Sequence, residues 1–278
     1  MLQNVYTLLC EKDMGMGLLT LPRIIKFLES NQKLEVFGDG SLSQKSIEIL
    51  RSLSTNVSVI TKEERNEEVN DMLAKYPVCR SFREELPLAY KLLDIPLLAQ
   101  KNHTNLTFTD SDIIYIKNCE AYFNQDVNVH LRTDNIKISV RLQKLFLKYK
   151  WKMPFKINSG YFNYNLENYD LDFLEYYLAL PDVRNTHWLI EQTAWGLLLA
   201  EAGNSLCPDE KQFACDESFS GPNEETLAIH LIGDLKSKVE EWTKYAEHND
   251  QGAQLPIFEH SRNVTYFDWF SKSLKRVF

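Results

Sequence analysis

The sequence lacks several features that would assign it to a protein class at once. Its 278 residues contain no apolar run of the roughly 18 residues that a membrane-spanning helix needs, and no signal-peptide pattern opens the chain. It also lacks an excess of positive charge, since 31 Lys and Arg against 39 Asp and Glu give a net charge of −8. A general nucleic-acid-binding surface is basic. We therefore expect a soluble, cytoplasmic protein that does not bind nucleic acid.

Paired cysteine motifs are absent as well. The five cysteines show no CxxC spacing, and an odd number favours reduced thiols over a disulfide framework; they are Cys10, Cys79, Cys119, Cys207 and Cys215. No repeat, low-complexity tract or linker divides the chain. With 44% hydrophobic residues, it can bury a sizeable core as one domain.

Strand and helix signals alternate through the first hundred residues. Their order is NVYTLLC, GLLTLPRIIKFLES, KLEVFGDG, SQKSIEILRSL, VSVIT and EERNEEVNDMLAKY. We expect a break in the first helix near Pro22, and Ser41 or Ser43 as the cap of the second. This βαβαβα order predicts an α/β domain with a parallel sheet and helices on both faces. Ligands of such sheets bind at the carboxyl ends of the strands.

The segment TFTDSDIIYI reads as a buried strand with Asp110 and Asp112 placed at its end. Two carboxylates this close repel each other, and burying them unpaired would be costly. A divalent cation with oxygen ligands, shared with a diphosphate, would compensate them. The alternative to a metal site is a surface turn in which both aspartates are solvated.

A second segment, IHLIGDLKSK, carries groups that suit the same chemistry. His230 is a potential third metal ligand, Gly233 allows backbone N–H groups to approach a phosphate, and Lys236 can neutralise that phosphate. The alternative for His230 is a hydrogen-bonded core residue. Together with the distant Asp-x-Asp, the Gly-x-x-Lys spacing favours the ligand role.

These motifs, in this order, resemble those of the glycogenin-like glycosyltransferases, together with LAYKLLDIPLL, INSGYFNYN and EQTAWG. The resemblance spans roughly residues 4–242. It implies a GT-A-like, Rossmann-type α/β sheet, mostly parallel, with helices on both faces. It also implies one domain over 1–278, with a nucleotide-sugar-binding half at 1–118 and an acceptor half with C-terminal helices at 119–278. In this family two aspartates and a histidine hold Mn²⁺ (or Mg²⁺) against the diphosphate of a UDP-sugar, which implies Asp110, Asp112 and His230.

The resemblance further implies a set of residues that contact the donor and its metal. They are Leu8, Cys10, Lys91, Asp110, Ser111, Asp112, Asn158, Ser159, Gly160, Gln192, His230, Gly233 and Lys236. Lys91 replaces an Arg that is usual near the donor, and the NSG of residues 158–160 is expected as a turn near the transferred sugar. Gln192 matches a polar position beside the anomeric carbon, with Glu191 adjacent. The usual Lys-Pro-Trp is KSK here, with Trp242 further on, so the closing loop departs from the family.

Less specific roles compete with several of these assignments. Lys91 could belong to a solvated helix face, Leu8 and Cys10 to the core, and Glu191 and Gln192 to a helix surface. Under the resemblance, the expected catalytic residues are Gln192, Asp112 and Lys236, acting in a hexosyl or N-acetylhexosaminyl transfer to a hydroxyl acceptor with retention. The acceptor class, whether saccharide, lipid or protein, is left open.

Other functions also fit parts of the sequence. FTDSDII resembles the first motif of haloacid-dehalogenase-like phosphatases, with Asp110 as nucleophile, Asp112 as acid and Asp234 as a later aspartate, although the motif normally opens its domain. A non-catalytic nucleotide-sugar-binding module is a further alternative. A sugar-nucleotide pyrophosphorylase fits less well, because the loop after the first strand is acidic rather than basic.

The C-terminal segment VTYFDWFSKSLKRVF has helical spacing of apolar residues. Phe267, Phe270 and Leu274 lie near Lys272, Lys275 and Arg276. Such a helix could make peripheral contact with an anionic membrane, and the alternative is packing of its aromatic face on the core.

Overall fold

The computed structural model describes residues 4–133, 140–184, 189–249 and 255–265. Its thirteen strands within these ranges are β1 (Val5–Leu9), β2 (Leu34–Gly38), β3 (Val57–Ile60), β4 (Asn105–Thr109), β5 (Ile113–Tyr115), β6 (Val129–Arg132), β7 (Lys152–Pro154), β8 (Ile157–Asn165), β9 (Leu206–Pro208), β10 (Phe213–Ala214), β11 (Ala228–His230), β12 (Phe258–His260) and β13 (Asn263–Thr265).

Twelve α-helices lie in the same ranges. They are α1 (Met14–Lys26), α2 (Gln44–Ser52), α3 (Lys62–Met72), α4 (Pro77–Glu85), α5 (Ala89–Leu92), α6 (Asp94–Ala99), α7 (Glu120–Phe123), α8 (Val140–Tyr149), α9 (Leu171–Ala179), α10 (Pro181–Arg184), α11 (Leu189–Ala202) and α12 (Val239–His248). Short 3₁₀ segments occupy Glu11–Asp13, Leu166–Asn168 and Gly233–Lys238. None of the helices in the described ranges has the length and hydropathy of a membrane span.

The central sheet contains eight strands in the order β12-β9-β6-β8-β4-β1-β2-β3. The strands from β4 through β3 run parallel, as the βαβαβα pattern predicts, and β6 and β9 are also parallel. Strand β8 is antiparallel to both of its neighbours, and β12 is antiparallel to β9. A three-stranded sheet, β10-β11-β5, and a pair, β13-β7, complete the architecture. The predicted α/β fold with a mostly parallel sheet is therefore confirmed.

Both faces of the central sheet are buried. Tyr6 and Phe108 belong to one hydrophobic cluster, whereas Val5 and Val36 belong to a second cluster that also holds Ile24 of α1. Neighbouring residues of β1 thus enter different clusters, as strand alternation requires. Helices pack against each face, which explains why these strands read as continuous hydrophobic runs.

Local capping follows the sequence in the first half of the chain. The Ser43 hydroxyl accepts a hydrogen bond from the Ser46 N–H at 3.2 Å, which makes Ser43 the cap of α2. Thr61 and Glu64 form a capping box at the start of α3, with the Thr61 N–H donating to the Glu64 carboxylate at 2.7 Å. These interactions satisfy N–H groups that the first helical turn leaves unpaired.

A buried charge network fixes the helices before β4. Asp94, at the start of α6, accepts from Arg65 Nε of α3 at 2.7 Å and from Arg83 Nε of α4 at 2.7 Å. All three side chains are at most 2% exposed. The Arg65 guanidinium also lies 4.9 Å from the centroid of the Tyr90 ring in α5. Because α5 and α6 are nearly contiguous, the network holds Lys91 of α5 in place.

Three local predictions need correction. Helix α1 continues through Pro22 without a break, since the neighbouring Arg23 is anchored by hydrogen bonds from Nε to the Tyr115 carbonyl at 2.9 Å and from Nη2 to the Ile116 carbonyl at 2.8 Å. TFTDSDIIYI forms two strands, β4 and β5, with a turn between them. The NSG of residues 158–160 lies inside β8 and is not a turn, because Asn158 pairs with Leu131 of β6 and the strand continues into the residues that pair with β4.

One further prediction is confirmed, and another lies outside the described residues. All five cysteines are free thiols, as expected. The predicted C-terminal helix falls on residues 266–278, outside the described residues.

Candidate functional site

The backbone turns sharply between β4 and β5, at residues 110–112. The Asp110 N–H donates to the Gly160 carbonyl at 2.6 Å, and the Leu231 N–H donates to the Asp112 carbonyl at 2.9 Å. The Ser111 carbonyl accepts from the Thr20 hydroxyl at 2.5 Å, which ties the turn to α1. The turn therefore leaves the eight-stranded sheet at β4 and enters the three-stranded sheet at β5. Asp110 and Asp112 both lie between the two strands, so the directions of their side chains are set by this turn.

Asp110, Asp112 and His230 converge at this turn. His230 ends β11, which is antiparallel to β5 with His230 opposite Ile113. His230 Nε2 lies 3.1 Å from Asp112 Oδ1 and 3.7 Å from Asp110 Oδ2. One ligand atom from each of the three residues lies within 4.8 Å of the other two. Two carboxylates and an imidazole form a donor set that suits Mn²⁺ or Mg²⁺.

The fit of such an ion is supported by one carboxylate oxygen. Asp112 Oδ1 is buried, and its contact with His230 Nε2 does not have hydrogen-bond geometry. A buried carboxylate oxygen without a hydrogen-bond donor is costly unless a cation compensates it. The residues present therefore fit a divalent ion, which Asp110, Asp112 and His230 would hold.

The imidazole of His230 is held tightly on its other sides. A Cβ added at Gly160 would lie 2.4 Å from His230 Cε1 and 2.6 Å from Nδ1, so only glycine leaves room for the ring. His230 Nδ1 lies 3.4 Å from the Cys215 sulfur. In a neutral ring, a proton on Nδ1 donated to that sulfur would leave the Nε2 lone pair available to an ion held by the two aspartates. Burial lowers the pKa of His230, but Asp112 and Cys215 together outweigh burial, so without an ion the pKa lies well above its ordinary value.

Lys236 brings a positive charge to the same point. Its Nζ lies 2.9 Å from Asp112 Oδ2, and the side chain is 48% exposed. Burial raises the pKa of Asp112, but His230 and Lys236 outweigh it and hold that pKa far below its usual range. Gly233, three residues earlier, has φ +53, a left-handed conformation that favours glycine.

Lys91 lies on the other side of Asp110. Its Nζ is 3.0 Å from Asp110 Oδ1, 3.4 Å from Ser159 Oγ and 3.7 Å from Glu191 Oε1. The side chain is only 3% exposed and lies 4.5 Å from the centroid of the Phe108 ring. The alternative of a solvated helix face for Lys91 is therefore wrong.

Helix α11 contributes two buried polar side chains next to β8. The Ser159 hydroxyl donates to Glu191 Oε2 at 3.0 Å, and the Ser159 N–H donates to Gln192 Oε1 at 3.4 Å. Both residues of α11 are buried, so the alternative of a helix-surface position is wrong for them. Burial raises the pKa of Glu191 to about 7, partly offset by Lys91. Asn158 accepts from the Gly160 N–H at 2.8 Å and stabilises the backbone of this stretch.

The pairing of β6 with β8 is irregular at the residues of β8 that lie beside α11 and His230. The pairing of β6 with β8 passes from His130 opposite Phe162 to Leu131 opposite Asn158, which leaves residues 159–161 without partners on β6. Ser159 and Gly160 can therefore face α11 and His230 instead of a continuous ladder.

Leu8 and Cys10 lie at the carboxyl end of β1, next to that of β4. Leu8 pairs with Phe37 of β2 and is partly buried against the core. The Cys10 thiol donates to Asp13 Oδ2 at 3.2 Å. Ser111 is buried in the turn. Leu8 and Cys10 share the edge of the sheet with the acidic pair, but they do not belong to the group formed by Asp110, Asp112 and His230.

Sequence reasoning missed two residues that shape the site. The sequence favours an ordinary thiol for Cys215 over pairing or metal binding with Cys207, and it gives no reason to single out Thr20. No sequence signal marks either, because each acts through a partner that lies far away along the chain. Only the packing of β10 against β11, and of α1 against the turn, brings them into place.

Asp234, which the phosphatase alternative requires, lies elsewhere. It is exposed at the start of the Gly233–Lys238 segment and is not part of the group formed by Asp110, Asp112 and His230. The Asp-x-Asp follows the fourth strand in the chain, whereas the phosphatase motif opens its domain.

Comparison with known proteins identifies the fold. No protein-family model matches the chain, and no curated protein matches it in sequence. The structure is similar to galactosyltransferase LgtC, solved with donor and acceptor sugar analogues, with a TM-score of 0.54, 11% identity, and coverage of 91% of this chain and 98% of that one.

Two further structures agree. Mouse xyloside xylosyltransferase 1 gives a TM-score of 0.52 at 12% identity, over 84% of this chain and 97% of that chain. Glycosyltransferase GlyE of Streptococcus pneumoniae gives 0.54 at 13% identity, over 98% of this chain and 64% of that chain. At such low identity the similarity establishes the architecture, and the chain therefore has the α/β fold of GT-A glycosyltransferases.

Proposed function

We propose that the protein is a metal-dependent glycosyltransferase that moves a hexose or N-acetylhexosamine from a UDP-sugar to a hydroxyl acceptor. The observation that supports this most is the convergence of Asp110, Asp112 and His230 at the carboxyl edge of a GT-A sheet. Ligands of open α/β sheets bind at that edge. Closer kinship to the glycogenin-like family stays a prediction from the motifs.

The residues around the acidic pair divide into a phosphate side and a sugar side. When bound, Mn²⁺ or Mg²⁺ would neutralise the charge that develops on the departing diphosphate. Lys236 and the backbone at Gly233 would contact the same diphosphate, because an ammonium and exposed N–H groups are strong phosphate donors. Leu8 and Cys10 would border the uridine at the end of β1.

The sugar side is formed by β8 and α11. Ser159 and Gln192 would hold the transferred sugar, with Glu191 and Lys91 fixing Ser159 through the contacts at 3.0 and 3.4 Å. Lys91 would also limit repulsion between Asp110 and the donor phosphates. Gln192 carries no negative charge that could serve as a base, so its role is orientation of the donor.

Retention of configuration is the favoured outcome. In a front-face reaction, the acceptor oxygen bonds to the anomeric carbon on the face from which UDP leaves. The bond from that carbon to the β-phosphate oxygen breaks, its electron pair stays with UDP, and the acceptor proton passes to the departing phosphate. Preorganised positive charge at Lys236 would stabilise this leaving group.

The alternatives predict different behaviour. A haloacid-dehalogenase-like phosphatase would need Asp234 beside Asp110, which the exposed position of Asp234 disfavours. A nucleotide-sugar-binding module without turnover would keep every contact of the site and lack transfer. Cytoplasmic location stays a prediction from the sequence, and so does the packing of the C-terminal aromatic residues on the core, with peripheral membrane contact as its alternative.

The test uses a panel of nucleotide-sugars with Mn²⁺, read by thermal shift and by release of UDP. We expect a UDP-sugar to raise the melting temperature only with Mn²⁺ and to be hydrolysed or transferred. Asp112→Asn should remove both effects, because one metal ligand loses its charge. Asp234→Asn is the matched control, a nearby exposed aspartate outside the metal group, and should behave as wild type.

Each alternative has its own signature in this experiment. Unchanged Mn²⁺-dependent turnover in Asp112→Asn would refute the assignment. Release of phosphate from a phosphomonoester, lost in Asp234→Asn, would indicate the phosphatase. A thermal shift without UDP release across donors and acceptors would indicate a binding module.

A further inference from the structure

Lys236 contacts a residue that the proposed metal site also needs. Its Nζ lies 2.9 Å from Asp112 Oδ2, while His230 Nε2 lies 3.1 Å from Oδ1 of the same carboxylate. Asp112 is thus contacted on both oxygens by nitrogen atoms of the chain. An ammonium group this close to a carboxylate opposes the approach of a second cation to it, because like charges repel.

The side chain of Lys236 is able to leave this contact. It is 48% exposed, whereas the adjacent Leu235 is buried and packs with Trp242. The backbone of the segment is therefore anchored, and the long, rotatable lysine stem can reorient without moving it.

Lys91 makes a similar contact with the other aspartate, Asp110, but its side chain cannot leave that contact. Its Nζ lies 3.0 Å from Asp110 Oδ1, and the side chain is only 3% exposed. Ser159 and Glu191 also contact Lys91, so its ammonium stays between several partners. The two lysines beside the acidic pair therefore differ: one is fixed and the other can change partner.

We propose that Lys236 couples the binding of the divalent ion to the binding of the nucleotide diphosphate. Its ammonium competes with the ion for Asp112 and moves to the diphosphate when the nucleotide is bound. The ion alone then binds against this competition, and the nucleotide relieves it. Each ligand consequently strengthens the binding of the other, which is positive coupling between two ligands of one site. This inference rests on the proposed function.

The test is isothermal titration of wild type and Lys236→Met, first with MnCl₂ alone and then with UDP in saturating Mn²⁺. For Mn²⁺ alone, the variant should bind about fivefold more tightly, the size expected for loss of a partly exposed ion pair. For UDP with Mn²⁺, it should bind about tenfold more weakly, because a charged hydrogen bond to phosphate is lost. The two affinities should therefore change in opposite directions.

Lys238→Met is the matched control. Lys238 lies in the same 3₁₀ segment and carries the same charge, but its Nζ bonds Glu241 at 3.0 Å. Its replacement should leave both affinities unchanged. An equal gain in Mn²⁺ affinity in Lys238→Met would attribute the effect to net charge and would overturn the inference.

The remaining outcomes separate this inference from the proposed function. Wild-type or weaker binding of Mn²⁺ alone by Lys236→Met would show that Lys236 does not compete with the ion, which overturns the coupling and leaves the metal site intact. Failure of the wild type itself to bind Mn²⁺, with or without UDP, would overturn the proposed function and this inference with it.

Discussion

Replacement of Gly160 by alanine should damage the metal site chiefly through His230, although the added carbon would also lie 2.9 Å from Asn158 Oδ1. The added methyl carbon would lie 2.4 Å from His230 Cε1 and 2.6 Å from Nδ1, where ordinary contacts begin near 3.4 Å. The imidazole must therefore retreat by about 1 Å, a displacement large enough to spoil a ligand or catalytic geometry. The variant should bind Mn²⁺ at least about tenfold more weakly than wild type. Overpacking should also lower the free energy of unfolding by about 1–3 kcal/mol.

The measurement is Mn²⁺ titration by electron paramagnetic resonance, with chemical denaturation run in parallel. Gly15→Ala is the control, since nothing lies within 4 Å of a Cβ added there, in the first turn of α1. That substitution should leave Mn²⁺ binding unchanged and alter stability by less than about 1 kcal/mol. Wild-type Mn²⁺ affinity in folded Gly160→Ala would refute the packing of His230 against β8 as the basis of the site.

Three other substitutions test separate parts of the structure. Cys215→Ala should weaken Mn²⁺ binding about tenfold by removing the partner of His230 Nδ1, and Cys215→Ser should restore most of it; equal affinities in the two variants would contradict this role. Asp94→Ala removes the carboxylate that pairs with two buried guanidinium groups and should lower the free energy of unfolding, measured by urea denaturation, by about 3–5 kcal/mol. Lys238→Ala, which removes an exposed ion pair, is the control and should lower the same free energy by less than about 1 kcal/mol. For Glu191, burial raises the folded-state pKa to about 7 from 4.5, so the folded state binds more protons and wild-type stability falls as the pH rises through this window. The advantage of Glu191→Gln should therefore grow by about 3 kcal/mol between pH 4.5 and pH 8, and a constant difference in unfolding free energy across these pH values would argue against the shifted pKa.

Periodicity and motif spacing were sufficient for the framework of the fold. The hydrophobic runs of β1 to β4 alternate with amphipathic helices, and that order dictates parallel strands with a functional edge at their carboxyl ends. The site's main groups were also predictable, because a carboxylate pair after a buried strand requires a compensating cation. The structure places His230 and Lys236 beside that pair.

The details that sequence could not supply depend on contacts between distant elements. The turn at residues 110–112 is set by hydrogen bonds to Gly160 and Leu231, which no local pattern reveals. Helix α11 is buried all round, so the position of Glu191 and Gln192 could not be read from amphipathic spacing. Pro22 was expected to break α1 on local grounds, and the anchoring of Arg23 to β5 and the residue after it overrides that tendency.

The acidic turn lies at the junction of two sheets, and this position has a consequence for dynamics. Asp110 follows β4 of the eight-stranded sheet, whereas His230 ends β11 of the three-stranded one. An ion bound by both would cross-link the two sheets and raise the energy of local opening between them. Amide protons of β5 and β11 would then exchange with solvent more slowly in the presence of Mn²⁺, while those of β2 and β3, at the far edge, would exchange at an unchanged rate.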